Sequence, residues 1–345
     1  MRLVCAALLI VTWLRAIAVA EPVASETATH DRDGAVRSPW LDQSPALVLG
    51  PKSRDEHTAN HKLASGIAVA GIYAGFSAWA YIAWYRNHPE KEMHDFGRDG
   101  WFGVHTYAGG ADKLGHAWAT MVLARGGTAA LRAGGWDYTK SALLSAALSE
   151  GLFFAVEMKD YYYYEFSPGD FTFNTLGALT AIALDLSPRL DELFDYRVEY
   201  QMSPQYRHNL FDSDSPCAKR VKGQPSCSRW NIAEDYSGER YLIALHLGGI
   251  HSLRDTAYWT KFVDVAVGFQ SRNYKPPPTL DPTAPKRQTL FVGLSLNLQG
   301  LVDGAMPRHS KLRKAAHGLF EVATPPMTLG IGVNRSTAKA NSGGA

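Results

Sequence analysis

The chain has 345 residues, of which 46% are hydrophobic and 20% charged, a composition typical of a folded protein with one or two domains. The formal net charge is +2 at pH 7, and the lysines and arginines form no cluster or stripe. A nucleic-acid-binding protein is therefore not indicated, because such a protein needs a concentrated basic surface. The composition points to no electrostatic partner, so the function has to be sought in particular segments.

Residues 1–20 are predicted to be a signal peptide. Arg2 precedes an apolar stretch over residues 3–14, and the AVA at residues 18–20 matches the small-x-small pattern of a cleavage site. An uncleaved membrane anchor is the alternative. Cleavage would remove two arginines and no acidic residue, and would bring the formal charge to zero.

A disordered linker and an apolar helix are predicted next. Residues 21–60 are rich in Pro, Ser, Thr and Asp and show no periodicity, which is typical of a linker. Residues 63–85 carry no charge and are long enough to span a bilayer. Aromatic residues at the end of this run, followed by Arg86, resemble a membrane interface. A buried helix of a soluble bundle is the alternative interpretation.

Three further helices are predicted over residues 111–132, 138–156 and 170–186. Pro168 and Pro188 bound the last of them, since a helix seldom continues into a proline. Together with the first apolar run, they predict a membrane-associated four-helix bundle within a helical domain at residues 61–200. An even number of crossings would leave both ends of this unit in the periplasm.

Residues 201–238 form a polar loop that contains Cys217 and Cys227. In an exported chain, such an even pair predicts a disulfide bond. A pair of metal ligands is the weaker alternative, because the loop has no CxxC spacing and no second close pair.

The last part of the chain is predicted to be a β domain at residues 239–335, followed by a disordered tail at 336–345. Apolar residues alternate with other residues there, which is the pattern of half-buried strands. The predicted fold class is therefore α+β, with the helical bundle followed by a small antiparallel β-sheet or partial barrel. Strands of an outer-membrane assembly are the alternative. The four predicted strands cover residues 241–249, 263–269, 290–299 and 329–333.

Polar residues recur on the predicted helices at spacings that suit a shared site. Asp112 and His116 are four residues apart and so lie on one helical face, where they form a proton-transfer dyad or two metal ligands. Asp170 and Asn174 repeat this spacing. Glu150 interrupts an apolar helix and should face the interior, because an unpaired buried carboxylate is costly.

Buried polar groups need partners, so we expect these side chains to converge between the helices. Such a cluster either binds a divalent metal or transfers protons, or it is a structural network that fixes the helix register. His105 and Tyr107 are predicted at its rim, and Glu157 and Asp160 are predicted to be solvated. The candidate catalytic residues are Asp112, Lys113, His116, Glu150, Asp170 and Asn174. The candidate metal ligands are Asp112, His116, Glu150 and Asp170.

Several segments together resemble the DUF2279 family, which is described as predicted periplasmic lipoproteins. These segments are WFGVHTYAGGADKLGHA, Glu150, FSPGDFTFNTLGA and LDELFDYRVEY, over about residues 95–200. Their spacing is also loosely similar to VanZ-like membrane proteins. The resemblance implies an envelope location and no established activity. The chain departs from a lipoprotein in that Cys5 does not follow a lipobox.

Two functions remain open from the sequence. The first is an exported cell-envelope protein of undefined activity, periplasm-facing and associated with membrane lipids or envelope components. The inner membrane is favoured over the outer one. The second is a hydrolase or transferase acting on a lipid-linked or envelope substrate, with His116 as general base, Asp112 orienting it and Lys113 attracting phosphate. The sequence contains no P-loop, GxSxG, HExxH or Rossmann motif.

Overall fold

The computed structural model describes most of the chain after the predicted linker. Cys217, Cys227 and the predicted signal peptide lie outside the described residues, as do most of the predicted linker and tail. The predicted disulfide bond therefore stays a prediction. The described residues are 57–86, 96–213, 215, 231–274, 284–307 and 310–337.

Within these residues the chain forms nine α-helices and a six-stranded sheet, which confirms the predicted α+β class. The helices are α1 His57–Ala80, α2 Ala111–Ala133, α3 Tyr138–Tyr163, α4 Pro168–Leu186, α5 Pro188–Leu193, α6 Pro204–Phe211, α7 His251–Thr256, α8 Leu298–Ala305 and α9 Lys311–Val322. The strands are β1 Phe194–Tyr200, β2 Glu239–His246, β3 Val263–Arg272, β4 Arg287–Leu296, β5 Ala323–Thr324 and β6 Leu329–Ser336.

Local capping explains where the long helices begin and end. The Asp137 side chain caps α3 by accepting from the Lys140 amide at 3.0 Å, and Ser167 caps α4 in the same way. α4 ends at Ser187, ahead of a proline. α3 continues to Tyr163, beyond its predicted end at residue 156, because its last charged residues face into the protein.

Helix α2 lies at the centre of the fold, between the other long helices and the sheet. Towards α3 and α4 it packs Met121 and Ala124. Towards the sheet it packs Leu114 and Trp118. A Cβ on Gly177 of α4 would lie 2.2 Å from a backbone oxygen of α2, so the two helices require glycine at their crossing. Helix α1 packs against the far end of α2.

The sheet has the strand order β5-β1-β2-β3-β4-β6. It is mixed rather than antiparallel, because β5 pairs with β1 in parallel. Strand β1 lies inside the range predicted to be helical, and the prediction missed it. Its aromatic and apolar residues alternate with Asp195, Arg197 and Glu199, which resembles an exposed charged face, yet Arg197 and Glu199 are fully buried.

The sheet is curled, because its two edge strands are joined by a short link. Strands β5 and β6 occupy opposite edges, yet only residues 325–328 separate them in the chain. A link of that length reaches at most about 19 Å, so the two edges lie near each other. On the inner face, Arg197 of β1 donates to Ser295 of β4 at 2.9 Å, across two intervening strands.

The outer face of the sheet is apolar and mostly uncovered. Helix α2 covers the part around Tyr196 and Tyr241. We call the uncovered part the apolar sheet face. Its exposed residues are Ile243, Val267, Leu290, Val292, Leu294, Leu329, Ile331 and Val333.

A buried ionic cluster joins the helices to the sheet. Arg125 of α2 contacts Asp185 of α4 at 3.1 Å and Asp191 of α5 at 2.5 Å. It also contacts Glu321 of α9 at 2.6 Å, just before β5. All four side chains are nearly inaccessible to solvent. A single guanidinium therefore compensates three carboxylates from three other elements.

We predict that Arg125→Ala lowers the free energy of unfolding by about 3–5 kcal/mol, because it leaves three buried carboxylates without their cation. Urea denaturation of the full chain measures this change. Lys140→Ala on exposed α3 surface is the matched control and should change stability by less than about 0.5 kcal/mol. Equal effects of the two substitutions would contradict the role of the cluster.

Candidate functional site

A cavity of about 130 Å³ opens between the long helices and the short turn Ile232–Glu234. Carboxylates, His116 and several aromatic side chains line it together. The residues that line it are Trp84, Asp99, Tyr107, Asp112, His116, Val156, Asp160, Tyr164, Glu165, Ser167, Asp170, Ala233, Glu234 and Tyr236.

Two helix N-termini point into this cavity. Gly109 and Gly110 have φ values of 65° and 87°, and a Cβ on Gly110 would lie 2.3 Å from the Phe102 ring. Only glycine fits this left-handed turn, which places Asp112 in the first turn of α2. Asp170 lies in the first turn of α4, and its amide donates to the Ser167 hydroxyl at 3.0 Å. Both helix dipoles favour negative charge here.

Lys113 lies at the centre of three carboxylates. Its ammonium contacts Asp99, lies 3.1 Å from Asp112 and 2.9 Å from Asp170, and its side chain is 1% exposed. Burial lowers the pKa of Lys113, but the three carboxylates outweigh it and raise the pKa above its usual value. The ammonium is thus enclosed by the protein's own acids.

His116 lies between Asn174 and two acids. Its Nδ1 donates to Asn174 Oδ1 at 3.0 Å, and the same nitrogen lies 3.7 Å from Glu157 Oε1. Its Nε2 lies 3.8 Å from Asp170 Oδ2. The Asn174 oxygen also accepts from the Thr120 hydroxyl at 3.1 Å, so the amide is held in place. This arrangement fixes the imidazole and leaves Nε2 for chemistry.

Glu157 is a buried carboxyl group with one oxygen unused. Oε2 accepts from the Ser167 amide at 3.2 Å, whereas Oε1 has no hydrogen-bond partner within the part of the chain that the structure describes. Burial, together with the charges of Asp170 and Asp160, raises the pKa of Glu157 to about 10. The cavity therefore favours the neutral, protonated form of this carboxyl group, and a bound cation would favour the charged form.

The cluster contains more acids than its lysine neutralises. Burial and the charge of Asp170 raise the pKa of Asp112 to about 6 despite the nearby Lys113. Burial raises the pKa of Asp160 to about 8, although Asp160 accepts a hydrogen bond of 2.7 Å from Tyr85. The excess negative charge has to be balanced by protons or by a bound cation. The five carboxyl groups are those of Asp99, Asp112, Glu157, Asp160 and Asp170.

Two groups of side chains have the geometry to hold a metal ion. In each group, one ligand atom per residue lies within 4.8 Å of the others. The first group is His116, Glu157 and Asp170. The second group is Asp99, Asp112 and Asp170. The ammonium of Lys113 already lies among these three carboxylates. The first group is therefore the better candidate.

The predicted convergence of polar side chains is seen for most of the candidate residues. Asp112, Lys113, His116, Asp170 and Asn174 lie together, as described above. Glu150 does not line the cavity.

Glu150 instead accepts from the Thr175 hydroxyl at 2.8 Å. Glu157, two turns further along α3, occupies the position beside His116 that was predicted for Glu150. The prediction that Glu157 and Asp160 are solvated is wrong, because the N-terminus of α4 and the residues around Asp99 fold over the end of α3.

Asp99 was not predicted. It lies between Gly97 and Gly100, whose φ values are 70° and 73°. The Gly-x-Asp-Gly sequence predicts a turn at this position. The neighbouring sequence does not indicate that Asp99 contacts a lysine fourteen residues away. Of the two predicted rim residues, Tyr107 lines the cavity, whereas His105 is exposed and does not line it.

We predict that the protein without metal loses stability as pH rises from about 4 to about 6. The folded state raises the pKa of Asp112 above its ordinary value of 3.8 to about 6, so it binds the proton more tightly than the unfolded chain does. That stabilisation is complete below the ordinary pKa and is lost as pH rises through about 6.

Asp112→Asn should make the decline smaller. Part of it should remain, because burial also raises the pKa of Asp185 to about 6. Urea denaturation with EDTA at several pH values measures the decline. An unchanged pH profile in Asp112→Asn would refute the assignment.

The comparisons with known proteins cover the helical part of the chain. A family model described as "Predicted periplasmic lipoprotein (DUF2279)" matches residues 98–185. No curated protein and no solved structure matches the chain. The matched segment contains α2, α3 and nearly all of α4, and thus most of the polar cluster, whereas the sheet lies outside it. Residues 98–185 are therefore similar to the DUF2279 family, as the sequence motifs in this segment predicted.

Proposed function

We propose that the chain is an exported, periplasm-facing envelope protein whose cavity binds a divalent cation through His116, Glu157 and Asp170. One observation carries this proposal. The Oε1 atom of Glu157 is buried without a hydrogen-bond partner among the described residues, in a cluster with excess acid. The bond from His116 Nδ1 to Asn174 leaves Nε2 of the same ring, 3.8 Å from Asp170, to bind a cation. A cation at this point would satisfy that oxygen and offset the surplus charge.

The donor set fits a transition metal better than calcium. One imidazole nitrogen with carboxylate oxygens suits Zn²⁺ or Mn²⁺, whereas Ca²⁺ prefers six or more oxygens. Asn174 and Ser167 support the ligands from behind, since Asn174 orients His116 and the Ser167 amide holds Glu157. When bound, the cation would act as a Lewis acid facing the cavity.

The second candidate is a hydrolase or transferase that uses the same cavity for an envelope or lipid-linked substrate. His116 is the general base in this scheme. Asn174, rather than the predicted Asp112, contacts its Nδ1. The aromatic residues of the lining favour this candidate, because Trp84, Tyr164 and Tyr236 offer apolar surface to a substrate beside the acids.

The proposal includes association with a membrane through a four-helix bundle formed by α1 to α4, with the inner membrane favoured. Two helical stretches, Asn60–Tyr85 and Tyr138–Tyr163, are long and apolar enough to cross a membrane, which by itself is a weak indication. The exposed aromatic and aliphatic side chains add to it.

Contacts between aromatic rings connect the exposed surfaces. Phe154 of α3 contacts Phe171 of α4 at 5.8 Å between ring centroids. Phe102 lies 5.6 Å from Phe173 and equally far from Phe269, which pairs with Leu290 of the apolar sheet face. Aromatic rings thus join α3 to α4, and α4 to the sheet.

We predict that the purified full chain, stripped with EDTA, binds about one equivalent of Zn²⁺ or Mn²⁺ in isothermal titration calorimetry. His116→Ala and Glu157→Gln should each weaken binding by at least about tenfold, since each removes a ligand. Glu150→Gln is the matched control, because it alters a carboxylate on the same helix that lies outside the cluster. It should bind like the wild type.

Absence of any titration heat and of metal in elemental analysis would refute the cation site. Equal losses in Glu150→Gln and Glu157→Gln would refute the ligand assignment.

We also predict that the mature protein remains in the membrane fraction after washing with high salt and is released by detergent, because apolar contact resists ionic strength. Fractionation followed by immunoblotting tests this. Recovery of the protein in the soluble fraction without detergent would contradict membrane association and would leave the cation site unaffected.

A further inference from the structure

A second cavity lies on the inner face of the curled sheet, away from the polar cluster. Its volume is about 390 Å³, and strands β2, β3, β4 and β6 form its walls. Three of its lining residues are arginines and none is acidic. The lining residues are Arg240, Gln270, Arg272, Arg287, Thr289, Phe291, Thr328, Gly330, Gly332 and Asn334.

The three arginines are held close together by the sheet register. Arg272 of β3 lies directly opposite Arg287 of β4. Like charges in this position destabilise a sheet unless something lies between them. Arg240 and Arg272 both donate to the same oxygen of Gln270, at 3.1 and 3.2 Å. Two guanidinium groups therefore share one neutral acceptor.

One acid pairs with one of the three arginines. Arg240 lies 3.5 Å from Glu199 Oε2, whereas Glu199 Oε1 accepts three hydrogen bonds from Met327 and Thr328. Asp235 accepts from Tyr200 and from the Ser203 amide.

Arg272 donates to the backbone oxygen of Ser237 and makes no ion pair within the described residues. Burial lowers the pKa of Arg272, and the charge of Arg240 lowers it further, which Asp235 opposes. The Arg287 side chain is exposed and makes neither a hydrogen bond nor an ion pair within the described residues. Positive charge in this cavity thus exceeds the negative charge that faces it.

The strand that closes the cavity brings little side-chain bulk into it. Strand β6 alternates Leu329, Ile331 and Val333 on the apolar sheet face with Gly330 and Gly332 on the inner face. Phe291 adds an aromatic surface, with the Arg240 guanidinium 6.0 Å from its ring centroid. The cavity therefore combines room, charge and one flat apolar surface.

We propose that this cavity binds an anionic ligand through a phosphate group held by Arg240, Arg272 and Arg287. A phosphate carries up to two charges and several acceptor oxygens, so it matches three guanidinium groups better than a carboxylate, which one arginine already satisfies. The ligand is either a free phosphate compound or the headgroup of an anionic lipid. The site is independent of the proposed cation site and shares no residue with it.

The test compares the wild-type full chain with Arg287→Gln. The substitution should leave the fold intact, because the Arg287 side chain is exposed and makes no hydrogen bond or ion pair within the described residues. Arg335→Gln is the matched control. Arg335 of β6 lies opposite Gln288, the residue after Arg287, and therefore faces away from the cavity. Inorganic phosphate is titrated at constant ionic strength and followed by thermal shift and calorimetry.

We expect saturable stabilisation of the wild type by phosphate, and an affinity about tenfold lower in Arg287→Gln, the usual effect of losing one charge-assisted hydrogen bond. Arg335→Gln should bind like the wild type. Absence of saturable binding to the wild type, or equal weakening in both variants, would overturn the proposal unless the lipid arm below shows binding that depends on Arg287.

A second arm distinguishes the two sources of phosphate. Phosphatidylcholine vesicles with and without phosphatidic acid are co-sedimented with the same three proteins. Extra binding to phosphatidic acid that is lost in Arg287→Gln, and kept in Arg335→Gln, identifies a lipid headgroup. Phosphate binding without this extra binding identifies a free phosphate compound. Failure in both arms rejects the site.

Discussion

Helix α2 depends on two buried cations, and the rest of the structure is arranged around them. Lys113 near its start is surrounded by Asp99, Asp112 and Asp170. Arg125, three turns later, is surrounded by acids from α4, α5 and α9. Removing a charge from water is costly, and these contacts are what repay that cost. The acids come from distant parts of the chain, so both cations fix which elements lie against α2.

The two clusters differ in a way that bears on function. The acids around Arg125 are sealed within the protein and join the helices to the element before β5. The cluster around Lys113 borders a cavity, contains two further carboxyl groups and includes a histidine. Burial and the neighbouring acids raise the pKa of both Asp112 and Glu157.

The sheet buries charged side chains on its inner face and exposes apolar side chains on its outer face, the reverse of the usual arrangement. Arg197, Asp264 and His246 form a buried ionic network on its inner face, whereas the apolar sheet face remains exposed. His246 contacts Asp195 and Asp264 with its two nitrogens, so the pKa of this histidine rises to about 10 despite its burial. An exposed apolar surface of this extent is favourable against lipid or another apolar surface, and it agrees with the proposed membrane association.

The sequence by itself determined the four long helices, four of the six strands and most members of the polar cluster, because caps, prolines and hydrophobic periodicity are local signals. It did not determine that Glu157 rather than Glu150 completes the cluster, since both lie on one helix and only the position of α4 selects between them. Asp99 and β1 were missed for the same reason. An aspartate in a glycine turn and a strand of alternating charges both look solvent-exposed until Lys113 and the curled sheet bury them. Local sequence sets which residues can share a face, whereas burial depends on elements far along the chain, and only the tertiary structure decides it.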